Sequence, residues 1–257
     1  MNNYEKLEGM VAATFTPLDE NGDVNLSVID KYADWIASTP IKGVFVCGTT
    51  GEFSSLTIDE RNLILEKWLV SARKRFKVIA HVGSNCQRSA MELARHAAQV
   101  GADAIASIAP SFFKPGTVDE LVDFFAPICH SAAGLPFYYY NMPSITGVNL
   151  PVDKFLVEGK KKIPNLVGTK FTHNNLMEMG VCIELEQHRF EVLHGYDEIL
   201  ISGLAMGAVA GVGSTYNYIP NVYQAIFDSM KMNDLETARH NQIKSIRTVE
   251  VIIKYGG

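Results

Sequence analysis

The stretch PNLVGTKFTHNN, Pro164 to Asn175, places a lysine in a segment otherwise suited to a dry interior. A short apolar run after a proline reads as a buried strand, and Lys170 stands just before the polar turn that ends it. Side chains alternate along a strand, so Gly168, Lys170 and Thr172 are expected on one face, with Val167, Thr169 and Phe171 on the other. What Lys170 does therefore depends on what each face of this strand meets.

Seven further short apolar runs have the same character: GMVAATFTPL, GVFVCG, KVIAHVG, DAIASIAP, LPFYYYN, FEVLHG and GAVAGVG. Amphipathic segments separate them. In TIDERNLILEKWLVSARK, Thr57 and Glu60 have capping-box spacing, and Leu63, Ile64, Lys67 and Trp68 recur at one helical spacing, with Leu65 and Leu69 alongside. SAMELARHAAQVGAD ends on Gly101, in the position of a C-terminal cap. Eight strand-helix units at intervals of roughly 25 to 30 residues predict an α/β protein of the (β/α)8 TIM-barrel type. An open doubly wound sheet would want a GxGxxG turn after its first strand, and TFTPLDENGD supplies none. The expected organisation is a barrel over residues 1–233 and an appended C-terminal helix over residues 234–257.

The chain has 257 residues, 47% apolar and 20% charged, with a net charge of −5. That balance argues against nucleic acid or an anionic membrane as the principal partner. The densest basic cluster, SARKRFK (71–77), reads as cations at the negative end of a helix. Cys47, Cys86, Cys129 and Cys182 form no CxxC pair, as expected of reduced thiols in a cytoplasmic protein. No leader-like segment opens the chain, and no run reaches the ~18 apolar residues of a membrane span.

Barrels of this type build their active sites at the C-terminal ends of the strands. Lys170 then points inward near the top, where removal from water favours a neutral, nucleophilic amine; the alternative is a lysine reaching solvent or pairing with a carboxylate. Other strand ends add candidates. CGTTGEF (47–53) offers backbone N–H groups at a turn, with the Thr49 and Thr50 hydroxyls, for a carboxylate or phosphate; equally, it is a tight turn into a helix. FYYYNMPSITG (137–147) puts Tyr138 and Tyr140 in one parity, where a phenol beside a cationic nitrogen can serve as acid and base, or the rings simply pack. HGYDEIL (194–200) presents Asp197 and Glu198, either as partners of a helix N-terminus or as acceptors for substrate hydroxyls. His81, His173 and His194 lie at strand ends, but no HxH or HxxxH pair joins them, so no metal is expected.

Five segments occur together and in order: Gly48-Thr49-Thr50-Gly51-Glu52, Tyr140-Asn141-Met142-Pro143, Gly168-Thr169-Lys170-Phe171-Thr172, Gly195-Tyr196-Asp197-Glu198 and Gly213-Ser214-Thr215-Tyr216-Asn217. On these the chain resembles the dihydrodipicolinate synthase and N-acetylneuraminate lyase family of class I, pyruvate-dependent aldolases. Ile145 stands where the synthases usually carry an arginine, which makes the chain more similar to the lyase branch. The resemblance implies a carbon–carbon lyase that cleaves a sialic acid reversibly to N-acetylmannosamine and pyruvate. Lys170 would form the imine, Tyr140 would move the proton, and Thr49 would assist, with no other cofactor. Gly48, Thr49 and Thr50 would receive the carboxylate; Thr172, Gly195, Asp197, Glu198 and Ser214 would receive the polyol. A homotetramer is also implied.

Two departures from the family pattern bear on these expectations. Phe112, in APSFFKP, stands where many relatives have a tyrosine lent to a neighbouring subunit's site; either the lyase branch tolerates this, or Tyr140 works through Thr49 and water. The chain ends at IIKYGG, so a shortened C-terminal helical appendage is expected. Alternative expectations are an aldolase for another 2-keto-3-deoxy sugar acid, a zinc-dependent aldolase and a keto-acid-binding module without turnover.

Overall fold

The computed structural model describes residues 4–256. Eight parallel strands close into one barrel in sequence order: β1 (Gly9–Ala13), β2 (Gly43–Val46), β3 (Lys77–His81), β4 (Ala104–Ile108), β5 (Phe137–Asn141), β6 (Leu166–Phe171), β7 (Glu191–His194) and β8 (Ala210–Gly213). β1 pairs with both β2 and β8, which leaves no free edge. The helices are α1 (Ile29–Ala37), α2 (Ile58–Ala72), α3 (Gln87–Val100), α4 (Val118–Ser131), the single turn α5 (Pro143–Thr146), α6 (Val152–Lys162), α7 (Leu176–Glu184), α8 (Leu200–Ala205), α9 (Pro220–Lys231) and α10 (Leu235–Lys254). All eight apolar runs are strands, as their composition predicted.

Alternation along each strand divides the apolar residues into two cores. Val11, Phe45, Ile79, Ala106, Tyr138, Tyr140, Leu193 and Val212 fill the barrel. Met10, Val44, Val78, Ile105, Phe137, Phe171 and Val192 face the helices. Both faces are covered, and therefore the strands read as nearly continuous apolar runs. The barrel is latched by Asn217, whose Nδ2 donates to the Ala13 carbonyl at 2.8 Å while its Oδ1 accepts from Tyr32 at 2.7 Å.

β6 departs from strict alternation at its start. The register with β5 shifts between Phe137 and Tyr138, opposite Leu166 and Gly168. Val167 consequently packs against the barrel interior instead of sharing the outer face of Thr169 and Phe171. Gly168 is needed where the bulge ends, because a Cβ there would overlap the carbonyl of Glu191 on β7. Gly168→Ala is expected to cost about 3 kcal/mol or more by overpacking, measured by urea unfolding. Gly101→Ala, where φ is +84° in open space, should cost only about 1 kcal/mol. Equal costs would contradict this close approach.

Helix α2 shows the capping box in full: Thr57 Oγ1 accepts from Glu60 N–H at 3.2 Å, and the Glu60 carboxylate accepts from Thr57 N–H at 2.7 Å. Its buried face is Arg61, Ile64, Leu65, Trp68 and Ala72, while Leu63 is half exposed, so the stripe lies one position away from the expected one. The basic cluster does cap this helix, through Arg75, which donates to the carbonyls of Ser71 and Ala72 at 2.8 and 3.2 Å. Helix α10 packs on α9 and reaches back to the barrel rim: Gln242 Nε2 donates to the Asp197 carbonyl at 3.0 Å. Among the described residues no helix is long and apolar enough to cross a membrane.

Candidate active site

Lys170 is 4% exposed, and its Nζ lies inside the barrel near the C-terminal strand ends. It sits 4.0 Å from the ring centroid of Tyr140 and 4.4 Å from that of Phe45. The strand-end lysine is thus packed on two aromatic faces. Such faces favour a cation, and a protonated imine formed on this nitrogen would keep both contacts.

Tyr140 is the next inward residue around the barrel, paired in register with Lys170. Its hydroxyl lies 3.2 Å from Thr49 Oγ1 and 3.0 Å from Met142 Sδ. Thr49 belongs to the turn after β2, where Cys47 takes φ +54° and Gly48 lies against the Phe45 ring. Within the turn, the N–H groups of Glu52 and Phe53 donate to the carbonyls of Thr49 and Gly48. Those of Thr49 and Thr50 donate to no protein acceptor among the described residues. An anion at this turn would therefore meet free donors without displacing any internal bond.

On the other side of Lys170, Thr172 continues the inward face of β6, and its buried Oγ1 has no hydrogen-bond partner among the described residues. Gly195 follows β7, and a Cβ there would overlap the Thr172 hydroxyl, so only glycine leaves this polar group open to a ligand. Asp197 Oδ2 accepts from Thr215 N–H at 2.8 Å and from Thr215 Oγ1 at 2.6 Å, and Oδ1 accepts from no group among the described residues. Glu198 and Ser214 are half buried beside it. These residues thus lie at or just beyond the C-terminal end of β2, β5, β6, β7 or β8, whereas Tyr138, the other inward phenol of β5, lies deeper and donates to the Glu191 carboxylate at 3.1 Å.

Burial lifts the Asp197 carboxyl to about 6, against the two bonds from Thr215. A carboxyl that ionises later in the folded chain than in the unfolded one loses stability as pH rises from ~4 to ~6, because the unfolded chain releases its proton first. Asp197→Asn is expected to remove that loss. The difference in unfolding free energy, variant minus unmodified chain, should grow by about 2 kcal/mol between pH 4 and pH 6.5. Burial holds His194 down at about 4 and His81 well below its usual value, which makes stability rise with pH over the same range. Both proteins carry those histidines, so their contribution cancels in the difference. A flat difference would contradict a buried, ionisable Asp197.

The three histidines do not converge. His81 faces the barrel interior beside Tyr140, whereas His194 faces outward against Gly203 of α8. Among the described residues no group of three or more His, Cys, Asp or Glu comes together as a ligand set. Ile145 is exposed on α5. Phe112 is 78% exposed and stacks edge-on against Phe113; within this chain the Tyr140 hydroxyl meets Thr49 Oγ1 and Met142 Sδ. Three contributors had no clear sequence signal: Phe45, Met142 and Arg61. A cavity of about 1070 Å3 opens at the opposite end of the barrel, between Glu5–Glu8, Lys42, Lys77 and Asp103. Its cations are partly paired, as Lys77 is with Glu5 and Asp103, and no expected site residue lines it.

The chain is a closed parallel barrel with a lysine buried near its mouth. Residues 6–256 match the Dihydrodipicolinate synthetase family, and the chain belongs to it. It is 42% identical over 255 residues to the N-acetylneuraminate lyase of Mus musculus, an alignment covering 98% of this chain and 80% of that protein. To the N-acetylneuraminate lyase of Homo sapiens it is 41% identical, with the same coverage. Its structure superposes on the N-acetylneuraminate lyase of Proteus mirabilis with a TM-score of 0.96 at 36% identity, covering 98% of this chain and 85% of that one.

Proposed function

We propose that the chain is a Schiff-base aldolase that cleaves N-acetylneuraminate reversibly to N-acetylmannosamine and pyruvate. The observation that carries this reading is the Lys170 amine, inside the barrel and packed on Tyr140, whose hydroxyl meets Thr49. The lyase names of relatives 42% and 41% identical, each matched over 80% of its length, support the substrate.

In this mechanism the open-chain sugar acid enters with its carboxylate on the free N–H groups and hydroxyls of Thr49 and Thr50. Lys170 Nζ attacks the C2 ketone, water leaves, and a protonated imine forms. The Tyr140 phenol passes its own proton through Thr49 to water as its oxygen takes the proton of the C4 hydroxyl; the C3–C4 bond breaks, and its electron pair moves into the imine to give an enamine. N-acetylmannosamine departs as the aldehyde. Protonation at C3 and hydrolysis then release pyruvate and restore the amine. Thr172, Glu198, Ser214 and Asp197 Oδ1 supply polar partners for the polyol, with Gly195 leaving space beside Thr172. No cofactor beyond the lysine itself enters, and we assign the protein to the cytoplasm as a homotetramer.

A coupled assay for pyruvate release across a panel of sugar acids tests the reading. The expected result is the highest kcat/KM with N-acetylneuraminate. A higher value for a 2-keto-3-deoxy acid lacking the N-acetyl group would reassign the substrate, and binding without pyruvate release would remove the activity.

A further inference from the structure

Beneath the turn that carries Thr49 lies a buried polar cluster that the mechanism leaves unused. His81 ends β3 with its ring inside the barrel, 2% exposed, between Tyr140 (centroids 5.8 Å) and Phe53 (4.5 Å). Its Nδ1 is 2.8 Å from the carbonyl of Cys47. A carbonyl only accepts, so Nδ1 carries the hydrogen. Burial, with Arg61 and Lys170 nearby, keeps the imidazole neutral, which leaves Nε2 bare. Nε2 has no hydrogen-bond partner among the described residues and points at Gly83, where a Cβ would stand 2.6 Å away. The ring is therefore turned away from any reacting atom.

Behind it, Arg61 of α2 is 5% exposed. Its guanidinium donates to the carbonyls of Gly83 at 2.9 Å and His81 at 2.7 Å, and it lies 5.4 Å from the Phe53 ring centroid. The end of β3 is thus fixed from one side by Arg61, and His81 passes that constraint to Cys47. Cys47 needs it. It is a non-glycine residue at φ +54°, immediately before the Gly48-Thr49-Thr50 turn, and such a backbone persists only where its surroundings over-determine it.

We propose that His81, held by Arg61, is a positioning residue that clamps the Cys47 carbonyl and thereby sets the turn that receives the substrate carboxylate. The carboxylate assignment rests on the function proposed above; the clamp on the turn does not.

Three substitutions separate a hydrogen-bonding role from simple packing. Asn places an amide N–H where Nδ1 stands, Gln places it at the Nε2 side, and Leu fills the space with no donor. In the 257-residue chain, hydrogen exchange of the Glu52 and Phe53 amides, which donate to the Thr49 and Gly48 carbonyls, should quicken about tenfold in His81→Leu and His81→Gln, the equivalent of losing one hydrogen bond of about 1.4 kcal/mol. His81→Asn should restore slow exchange. In kinetics, KM for pyruvate in the condensation direction should rise about tenfold in the Leu and Gln variants, with kcat within about threefold, and Asn should restore KM.

Packing alone predicts the reverse order, with Asn, which leaves a gap, worst and Leu best; that order overturns the proposal. Unchanged exchange in His81→Leu overturns the clamp. Quickened exchange with unchanged KM overturns the link to the carboxylate. Should the unmodified chain release no pyruvate, the functional reading fails while the exchange series still decides the clamp.

Discussion

Lys170→Met is expected to lose turnover by about ten-thousand-fold or more, the scale of removing a covalent nucleophile. Methionine keeps most of the lysine's length and fits the apolar gap between the Phe45 and Tyr140 rings, so the barrel should remain intact. Lys170 Nζ makes no hydrogen bond or ion pair among the described residues and packs on two ring faces, so unfolding by urea should show little loss of stability. Lys170→Arg should be equally inactive, because a guanidinium stays protonated and forms no imine. Loss of activity with loss of fold would leave chemistry and structure unseparated, and the unfolding curve therefore accompanies the rate. Near-normal turnover in the Met variant would exclude the covalent mechanism.

Tyr140→Phe is expected to lower kcat for cleavage by roughly 100- to 10,000-fold, the range for losing a positioned general acid–base group. The substitution retains the ring under Lys170 and removes only the oxygen that meets Thr49 Oγ1 at 3.2 Å and Met142 Sδ at 3.0 Å. Imine formation with pyruvate should persist, because Lys170 and the carboxylate-receiving turn are unchanged. That separation between a retained imine and lost carbon–carbon cleavage assigns the phenol to proton transfer. Loss of both together would instead place Tyr140 in substrate binding.

The barrel was legible because its physics repeats. Strands covered on both faces give short apolar runs, and the intervening helices announce themselves by devices such as the Thr57–Glu60 capping box and the left-handed Gly101. The bulge at Val167 was not legible, since it arises from a register shift against β5 and not from any residue within β6. Leu63 was misplaced because α2 presents apolar residues on more than one side, and packing against the barrel selects the stripe through Ile64, Leu65 and Trp68.

The candidate site was legible where residue type carries the chemistry, as for Lys170, Tyr140 and the threonines of the β2 turn. Asp197 had two sequence readings, and the structure adds a third contact: its carboxylate is held by Thr215, 18 residues later, across the β7 and β8 ends. Nothing local signals such a bond. Arg61 was also hidden, because its partners are the backbone carbonyls of His81 and Gly83, which any residue would supply. One clue was present. Arg61 lies in phase with Ile64, Leu65 and Trp68 at helical spacing, and a charged residue in line with an apolar stripe is either snorkelling or buried with partners.

The most direct test of the central claim is borohydride reduction of the protein in the presence of pyruvate, followed by peptide mapping. One reduced pyruvyl adduct per chain is expected, carried by Lys170, and none after Lys170→Met. An adduct on another lysine with Lys170 unmodified, or no adduct under conditions where pyruvate is being produced, would contradict it.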